Sequence, residues 1–338
     1  MYQAGIIGVG QAGYTFDFDK TRKFIWSHAK AYKFHKKTKL VAVSDIDTLD
    51  QRFSEDYPNV IFFKDYISML EKSKLDIVSI CTPTHTHLEI IKSISNQSSI
   101  KAIFLEKPVG QNLSEAVQID KICKSNNIIL ASNYMRRWDN SYNFVNELIE
   151  SKSLGKLETI IALGNTSLLT SASHLIDLMI FFGKEIKWIV GDLQENYIRN
   201  VNGINDHGGT AMVKFDNDVC GFLKAVSKNE TNLIFSFELF FEDGKVKISE
   251  PFIKDDQCVI EIMRFVPRTD NRYKALAQTE EKSSIKANER MLDAITDILK
   301  CVENGISPKS SGHNAIEVHK FIESMKRSFS TLKIVSYE

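Results

Sequence analysis

Cysteine is scarce in this chain, and no two cysteines are close in sequence. The 338 residues contain five, and none lies within thirty positions of another. Without a Cys-x-x-Cys pair, or any His, Cys, Asp and Glu cluster at metal-ligand spacing, we predict neither a metal site nor a disulfide framework. A basic, apolar leader and a run of about 18 apolar residues are missing too. We therefore expect a cytoplasmic protein with no membrane partner.

An excess of charge of either sign is also absent. The 43 lysines and arginines balance 43 aspartates and glutamates, so the formal net charge is zero. This balance gives no electrostatic footprint for nucleic acid, and we predict no such partner. Hydrophobic residues make up 43% of the chain and charged residues 25%, which is ordinary for a globular protein. The length suits two domains of about 150 residues each.

In the first half of the chain, short apolar runs alternate with helical stretches. These runs are nearly continuous hydrophobics, as expected for strands that helices cover on both faces. The helical stretch Leu113–Ser125 follows the fifth run, with Ser114 as its expected cap. We predict an N-terminal Rossmann doubly wound parallel sheet in residues 1–135, with strands at Ala4–Val9, Leu40–Ser44, Val60–Phe63, Ile77–Cys81, Ala102–Leu105 and Ile128–Ala131.

From about residue 155 the strand-like runs follow one another directly. The turn Asp216-Asn217-Asp218 predicts a hairpin, and helices are expected near His174–Phe182, Ala287–Asn304 and Asn314–Ser330. We predict a C-terminal α+β domain with a largely antiparallel open sheet in residues 136–338, for substrate binding and oligomerisation. Its strands are expected at Leu157–Leu163, Ile186–Val190, Thr210–Phe215, Gly221–Ala225, Leu233–Phe241 and Lys245–Ile248.

A glycine-rich turn directly follows the first strand. Its glycines allow a tight turn and a close backbone approach to a pyrophosphate at a helix N-terminus. We predict that this turn binds a dinucleotide through Gly8, Gly10, Gln11, Ala12 and Gly13.

An acidic residue at the end of the second strand is expected to hold the ribose hydroxyls. Asp45 fits, although it lies 32 positions beyond Gly13 rather than the usual ~20. Ile46 follows it and no arginine adjoins, which favours NAD over NADP. The alternative is that Asp45 merely ends a strand. The extra residues fall within 14–37 and could form a lid, an oligomer contact or a longer helix.

Three further motifs follow predicted strand ends. Together with the glycine turn, they resemble the Gfo/Idh/MocA family of NAD(P)-dependent oxidoreductases, densely over residues 4–140 and more thinly beyond. The motifs are Cys81-Thr82-Pro83-Thr84-His85-Thr86-His87, Leu105-Glu106-Lys107-Pro108 and Asn133-Tyr134-Met135-Arg136-Arg137-Trp138-Asp139.

The resemblance implies a catalytic role for Lys107 beside the nicotinamide. A lysine between a buried strand and a proline is held rigidly and can relay a proton from a sugar hydroxyl. The resemblance also implies that His174 contacts the reacting hydroxyl. The structural alternatives are a lysine that only extends from a strand end and a histidine that caps or fills a helix.

The resemblance implies further cofactor contacts at Thr82, Pro83, His87 and Glu106. Glu106 could instead be a buried carboxylate paired with an arginine. The implied substrate residues are Arg136, Arg137, Thr170 and Asp177, and either arginine could bind an anionic substrate group or fix the domain junction. Thr170 stands where the family often has an aspartate, which disfavours an inositol-like substrate and favours a nucleotide-linked sugar or a keto-sugar.

These implications lead to one main functional expectation and two alternatives. We expect an NAD-dependent oxidoreductase that acts on CH–OH groups of a sugar or nucleotide-linked sugar, with Lys107 and His174 handling the proton. The alternatives are an NAD-using glycosidase of the same fold and a non-catalytic NAD-binding sensor. The open sheet leads us to expect a homodimer or homotetramer.

Overall fold

A computed structural model describes residues 1–201, 204–226, 232–252, 258–269, 272–282 and 285–337. The chain divides into two compact units: unit 1 holds Met1–Trp138 and Asn288–Ile316, and unit 2 holds Asp139–Ala287 and Glu317–Glu338. The sequence pattern predicts one boundary at 135/136. The structure has a boundary three residues later, and in addition it returns residues 288–316 to unit 1.

Unit 1 is built on a six-stranded parallel sheet in the order β3-β2-β1-β4-β5-β6. Every residue of β4 and β5 is buried, because helices cover both sheet faces. This confirms the predicted doubly wound Rossmann fold. The strands are β1 (Tyr2–Ile7), β2 (Thr38–Ser44), β3 (Ile61–Phe63), β4 (Ile77–Ile80), β5 (Ala102–Leu105) and β6 (Ile129–Ser132).

Five helices connect these strands, and short 3₁₀ helices lie at Thr15–Phe18, Thr84–Thr86 and Met135–Trp138. The last helix has the predicted bounds but not the predicted cap: the side chain of Asn112, rather than Ser114, accepts a hydrogen bond from the Glu115 N–H. The helices are α1 (His28–Phe34), α2 (Gln51–Asp56), α3 (Tyr66–Lys72), α4 (His87–Ser95) and α5 (Leu113–Ser125).

The first helix does not begin at the glycine turn. Tyr14 N–H donates to Gly10 O, which closes one helical turn, but residues 16–27 then leave the helix axis. The N–H groups of His28 and Ala29 donate to Ala12 O and Gly13 O, bonds that positions 16 and 17 would make in an unbroken helix. The segment therefore inserts twelve residues, which accounts for the late position of Asp45.

The twelve-residue insertion is neither a free loop nor a simple helix extension. The guanidinium carbon of Arg22 lies 4.6 Å from the ring centre of Phe16 and 4.3 Å from that of Trp26. The Asp17 carboxylate accepts hydrogen bonds from the N–H groups of Trp26 and Ser27 at 2.9 Å. These contacts hold the segment against itself and return the chain to the helix axis at α1.

The described residues of unit 2 form a nine-stranded sheet, and among these strands only β7 and β10 pair in parallel. This confirms the predicted largely antiparallel sheet, and the hairpin turn lies between β9 and β10 as expected. The strands are β7 (Leu157–Gly164), β8 (Ile186–Val201), β9 (Ile204–Phe215), β10 (Cys220–Ala225), β11 (Phe235–Phe241), β12 (Gly244–Ser249), β13 (Val259–Pro267), β14 (Lys274–Lys282) and β15 (Val335–Ser336).

The remaining helices are divided between the units. Unit 2 contains α6 (Asn140–Ser151) and α7 (Ala172–Gly183), whereas α8 (Arg290–Asn304) belongs to unit 1 and α9 (Gly312–Thr331) crosses the division. The buried side chains of α8 join the core of unit 1, where Trp138 Nε1 also donates to Asp297 at 3.0 Å. This packing is why the chain returns to unit 1.

The described residues contain neither a membrane-spanning helix nor a metal-binding cluster. Among them, no helix is long and apolar enough to cross a membrane. The same part of the chain holds no group of three or more His, Cys, Asp or Glu side chains that could bind a metal ion.

Candidate active site

The predicted motifs of unit 1 lie at the carboxyl edge of its parallel sheet. Five of the six strands are followed directly by a residue of a predicted motif: Gly8, Asp45, Cys81, Glu106 and Asn133. Backbone hydrogen bonds of 2.8–3.0 Å continue across this edge, from Gly8 N to Ser44 O, Cys81 N to Ile7 O, Glu106 N to Ile80 O and Asn133 N to Leu105 O. This edge, at the point where the strand order reverses, is where doubly wound folds bind their ligands.

Two glycines of the turn are fixed by steric requirements. Gly8 has φ of +90°, and a Cβ there would lie 2.8 Å from the carbonyl carbon of Cys81. A Cβ on Gly13 would overlap the carbonyl oxygen of Gly8. Both positions therefore need glycine for the turn to close against β4 and the first helical turn.

Asp45 ties the glycine turn to the end of β2. Its Oδ2 accepts a hydrogen bond from Val9 N at 2.7 Å, and its Oδ1 accepts one from Asp47 N at 3.0 Å. The carboxylate is half-buried and the neighbouring Ile46 is 86% exposed. Each carboxylate oxygen has a second acceptor site, so Asp45 can still take a ribose hydroxyl.

The space beside the turn fits a dinucleotide. Nothing lies within 4 Å of the place where a Cβ on Gly10 would stand, so the backbone there faces open space. At the other end of the edge, the buried Oδ1 of Asn133 accepts no hydrogen bond from the described residues. Open space for a pyrophosphate, a carboxylate for the ribose and a buried acceptor beside Glu106 together match the polar groups of NAD.

Glu106 is paired with a histidine rather than with an arginine. His28 Nε2 lies 3.0 Å from Oε1 of Glu106, and Asn133 Nδ2 donates to the same oxygen at 2.7 Å. Burial favours the protonated form of Glu106, but these two hydrogen bonds and the positive charge of Lys107 together hold its pKa below the ordinary value. Oε2 accepts no hydrogen bond from the described part of the chain. The alternative of a buried carboxylate therefore has a histidine and an amide as the described partners, and not an arginine.

Lys107 and the two arginines follow the ends of β5 and β6. Lys107 is half-buried and its peptide bond to Pro108 is cis. Arg136 and Arg137 are 7% and 6% exposed, and Arg137 Nη1 donates to Lys309 O at 3.5 Å. Arg137 thus holds the 308–311 segment, whose Ser310 Oγ donates to Ser132 O at 2.7 Å.

The Thr-Pro motif forms a compact loop supported from behind by His87. The hydroxyls of Thr82 and Thr86 are 2.7 Å apart, and Pro83 is exposed at the loop surface. His87 is 1% exposed, and its ring nitrogens lie 3.0 Å from Thr82 O and 3.1 Å from Val109 O. The structure therefore places His87 inside the loop, where it holds the backbone that carries Thr82.

The predicted site residues of unit 2 lie around the N-terminus of α7. His174 and Asp177 are 7% and 1% exposed and stand one turn apart. Thr170 precedes the helix, with its hydroxyl 2.9 Å from that of Ser167, and its carbonyl accepts a hydrogen bond from Ser173 at 2.6 Å.

A carboxylate that the sequence did not point to fixes this loop. Asp206 of β9 is 2% exposed and accepts hydrogen bonds from the N–H groups of Leu169 at 2.8 Å and Thr170 at 3.1 Å. Burial raises the pKa of Asp206, and its hydrogen bonds from Leu169, Ser167 and Thr170 only partly oppose that rise. A carboxylate from another strand, β9, thus holds the backbone of the loop that carries Thr170.

Asp206→Ala should destabilise the protein more than Asp206→Asn. Alanine leaves two buried N–H groups without an acceptor, at about 1–3 kcal/mol each, whereas asparagine keeps one acceptor oxygen. Urea unfolding at pH 7 measures both losses, with Asp192→Ala, an exposed aspartate on β8, as the control. Equal losses for the alanine and asparagine variants would contradict the assigned hydrogen bonds.

A known family matches unit 1. Residues 2–134 match the model of an oxidoreductase family with an NAD-binding Rossmann fold. The myo-inositol 2-dehydrogenase of Thermotoga maritima is 28% identical over 154 residues, which are 45% of this chain and 42% of that protein. The chain spans less than half the length of the curated relatives that it matches.

Solved structures extend the likeness in fold over the whole chain. The WlbA dehydrogenase of Bordetella pertussis, in complex with NADH and UDP-GlcNAcA, has a TM-score of 0.76 at 15% identity and covers 99% of this chain and 98% of that chain. Levoglucosan dehydrogenase, in complex with NADH and L-sorbose, has a TM-score of 0.78 at 16% identity, with coverages of 100% and 99%. At these identities the likeness shows a shared fold.

Proposed function

Because residues 2–134 belong to the Gfo/Idh/MocA family of oxidoreductases, we propose that the chain is an NAD-dependent dehydrogenase or reductase. In this proposal it transfers a hydride to or from a ring carbon of a sugar or nucleotide-linked sugar. The observation that carries the proposal is the carboxyl edge of the unit 1 sheet. There, open space at Gly10 lies on the same edge as two acceptors that lack donors from the described residues, Oε2 of Glu106 and Oδ1 of Asn133.

The proposal gives the cofactor-binding roles to residues of unit 1. The glycine turn and its neighbours Gln11 and Ala12 receive the pyrophosphate, and Asp45 receives the ribose hydroxyls. Thr82 and Pro83 border the same edge, with His87 supporting their loop. When bound, NAD supplies the acceptor or donor of the hydride.

The proposal gives the proton to Lys107 and His174. As the C–H bond at the hydroxyl-bearing carbon breaks and the hydride leaves, the hydroxyl loses its proton and a carbonyl forms. In oxidation Lys107 relays this one proton and His174 accepts it, and in reduction the proton returns by the same route. Arg136, Arg137, Thr170 and Asp177 are proposed to contact the substrate.

Two considerations support a sugar or nucleotide-linked sugar as substrate. The fold neighbours described above were solved with UDP-GlcNAcA and with L-sorbose, so this fold accepts both ligand classes. Thr170 stands where the family often has an aspartate, so its loop lacks the carboxylate that we expect an inositol-like substrate to need. The oxygens of Asp206 already accept hydrogen bonds from the N–H groups of Leu169 and Thr170. We therefore favour nucleotide-linked sugars and keto-sugars over inositols.

The test is a substrate screen on the purified protein. NADH binding is measured first by fluorescence titration, and then absorbance at 340 nm is followed with NAD or NADH and a panel of polyols, keto-sugars and nucleotide-linked sugars. Turnover on a sugar supports the proposal. Cofactor binding without any absorbance change across the panel favours a sensor, and cleavage of a p-nitrophenyl glycoside without net absorbance change favours a glycosidase.

A further inference from the structure

A row of buried polar side chains lies behind Glu106. Tyr32 Oη is 2.8 Å from Ser79 Oγ, and Ser79 Oγ is 2.8 Å from His28 Nδ1. His28 Nε2 completes the row at 3.0 Å from Oε1 of Glu106. Tyr32, Ser79 and His28 are at most 1% exposed, so they cannot exchange these partners for water. None of the three carries a role in the proposed function.

The hydrogen-bonding capacities of the four groups fix the order of donors when the His28 ring carries one proton. A carboxylate can only accept, so the His28 Nε2 must carry a proton. With that single proton on the ring, Nδ1 is an acceptor and Ser79 donates to it. The hydroxyl of Ser79 then accepts from Tyr32. Burial raises the pKa of Tyr32 far above its usual range, so that phenol keeps the proton that it donates. The donors run from Tyr32 through Ser79 and His28 to Glu106.

We propose that His28 is a positioning residue that holds the Glu106 carboxylate in one place and one charge state beside Lys107. His28 and Asn133 both bind Oε1, which leaves Oε2 as the oxygen that can accept a donor from Lys107 or a ligand. A chain of hydrogen bonds pointing one way strengthens each member, so Tyr32 and Ser79 act on Glu106 through the ring. The catalytic role of Lys107 rests on the proposed function, but the donor order does not.

Among the titratable groups around Glu106, His28 does most to keep the carboxylate charged. Burial raises the pKa of the Cys81 thiol well above its usual value, so that group is neutral. Burial also lowers the pKa of His87, so its ring is neutral at pH 7. Lys107 is the remaining neighbour whose charge lowers the pKa of Glu106. Without the His28 donor, the largest influence that opposes burial is lost, so the pKa of Glu106 should move upward.

The first experiment uses the cofactor-free protein and needs no substrate. Histidine labelled with ¹⁵N should show one ring in the Nε2–H tautomer at pH 7.5, and its signal should be missing in His28→Gln. Ser79→Ala removes the donor to Nδ1, so the ¹⁵N signal of Nδ1 should shift, while the Nε2–H tautomer, which Glu106 fixes, should persist. A doubly protonated ring, or an Nδ1–H tautomer, overturns the donor order.

The second experiment measures thermal stability of the cofactor-free protein between pH 7 and pH 4. Glu106 has a lowered pKa, so its contribution to stability is present above the unfolded value and is lost as pH falls through the folded pKa. His28→Asn keeps a polar group near Ser79 but withdraws the donor from Glu106. In this variant the protein should begin to lose the stability contributed by Glu106 at a pH about one to two units higher than in the wild type.

Two comparisons separate positioning from general damage to the fold. His28→Gln keeps an N–H donor at the Nε2 position. Its stability should therefore fall at the same acidic pH as that of the wild type (the acid limb of the stability profile), whereas the acid limb of His28→Asn should move. In the Glu106→Gln background the two His28 variants should no longer differ. Equal acid limbs for His28→Gln and His28→Asn overturn the proposal, and Ser79→Ala, with a smaller shift in the same direction, replaces His28→Asn if that variant does not fold.

Turnover adds a third measurement once a substrate is known. The acid limb of kcat/KM should move to higher pH in His28→Asn and stay in place in His28→Gln. If the tautomer and stability results are as expected but no sugar is turned over, the proposed function fails and the role of His28 stands. If turnover is found with an unshifted acid limb in His28→Asn, the role of His28 fails alone.

Discussion

Lys107→Ala should lose turnover by a factor of about 10²–10⁴ while it still binds NADH with nearly wild-type affinity. General acid–base groups contribute rate factors of this size, and alanine removes the only proton-carrying atom of the side chain. The lysine follows β5 directly after Glu106, whereas the proposed pyrophosphate contacts lie beyond β1. Fluorescence titration with NADH and the initial rate at saturating substrate measure the two properties separately.

Lys101→Ala is the matched control for this substitution. Lys101 precedes the opposite end of the same strand, where its Nζ is 2.8 Å from Asp76 Oδ1 and half of its side chain is exposed. An exposed ion pair of this kind contributes at most about 1 kcal/mol, so turnover should be unchanged. Turnover of Lys107→Ala within tenfold of the wild type would contradict the proton-transfer role. If NADH affinity fell by the same factor as turnover, Lys107 would be a cofactor contact instead.

Gly10→Ala and Gly13→Ala should fail in opposite ways. The added methyl at Gly10 meets no protein atom within 4 Å, so the free energy of unfolding should change by less than about 1 kcal/mol. It does stand in the space proposed for the pyrophosphate, and we expect NADH affinity to fall by at least tenfold. The methyl at Gly13 overlaps the Gly8 carbonyl oxygen, so this variant should lose about 1–3 kcal/mol of stability.

Urea unfolding and NADH titration of both variants distinguish a ligand cradle from an ordinary turn. The expected pattern is a stable Gly10→Ala protein that no longer binds NADH and a destabilised Gly13→Ala protein. Wild-type NADH affinity in Gly10→Ala would place the pyrophosphate elsewhere. Wild-type stability in Gly13→Ala would show that the turn relaxes around the methyl group.

Local signals in the sequence account for the parts of the site that could be predicted. A glycine turn after an apolar run, and an acid after the next one, need no knowledge of the rest of the fold to place Gly8 and Asp45 at one sheet edge. The same logic placed Thr82, Glu106 and Asn133 after later strands, and the structure has them there. Parallel strands in register bring their carboxyl ends together whatever the connections contain.

The supporting residues could not be predicted because their contacts are remote in sequence. His28 reaches Glu106 across 78 positions, and Asp206 reaches Leu169 across 37. The insertion before α1 also hid the position of His28 relative to the glycine turn. One local signal was available: Ser27 caps α1 by accepting a hydrogen bond from Lys30 N at 3.2 Å, which marks His28 as the first residue of a helix.

The missed elements of unit 2 have different causes. Strand β13 alternates buried Ile260 and Ile262 with more exposed neighbours, a period of two that by itself predicts a strand. The sequence Lys-Ala-Leu-Ala-Gln-Thr-Glu-Glu-Lys of β14 is rich in helix formers, and pairing with β13 overrides that propensity.

The return of residues 288–316 to unit 1 sets the order in which the protein can fold during synthesis. About 180 residues separate Trp138 from Ile316, and ribosomes add roughly 5–20 residues per second. For some 10–35 s, a nascent Rossmann sheet therefore lacks α8, whose Met291, Ala294, Ile295, Ile298 and Leu299 are at most 1% exposed in the finished core. During that interval the nascent sheet exposes the apolar surface that α8 later covers, and exposed apolar surface of this kind is what chaperones bind.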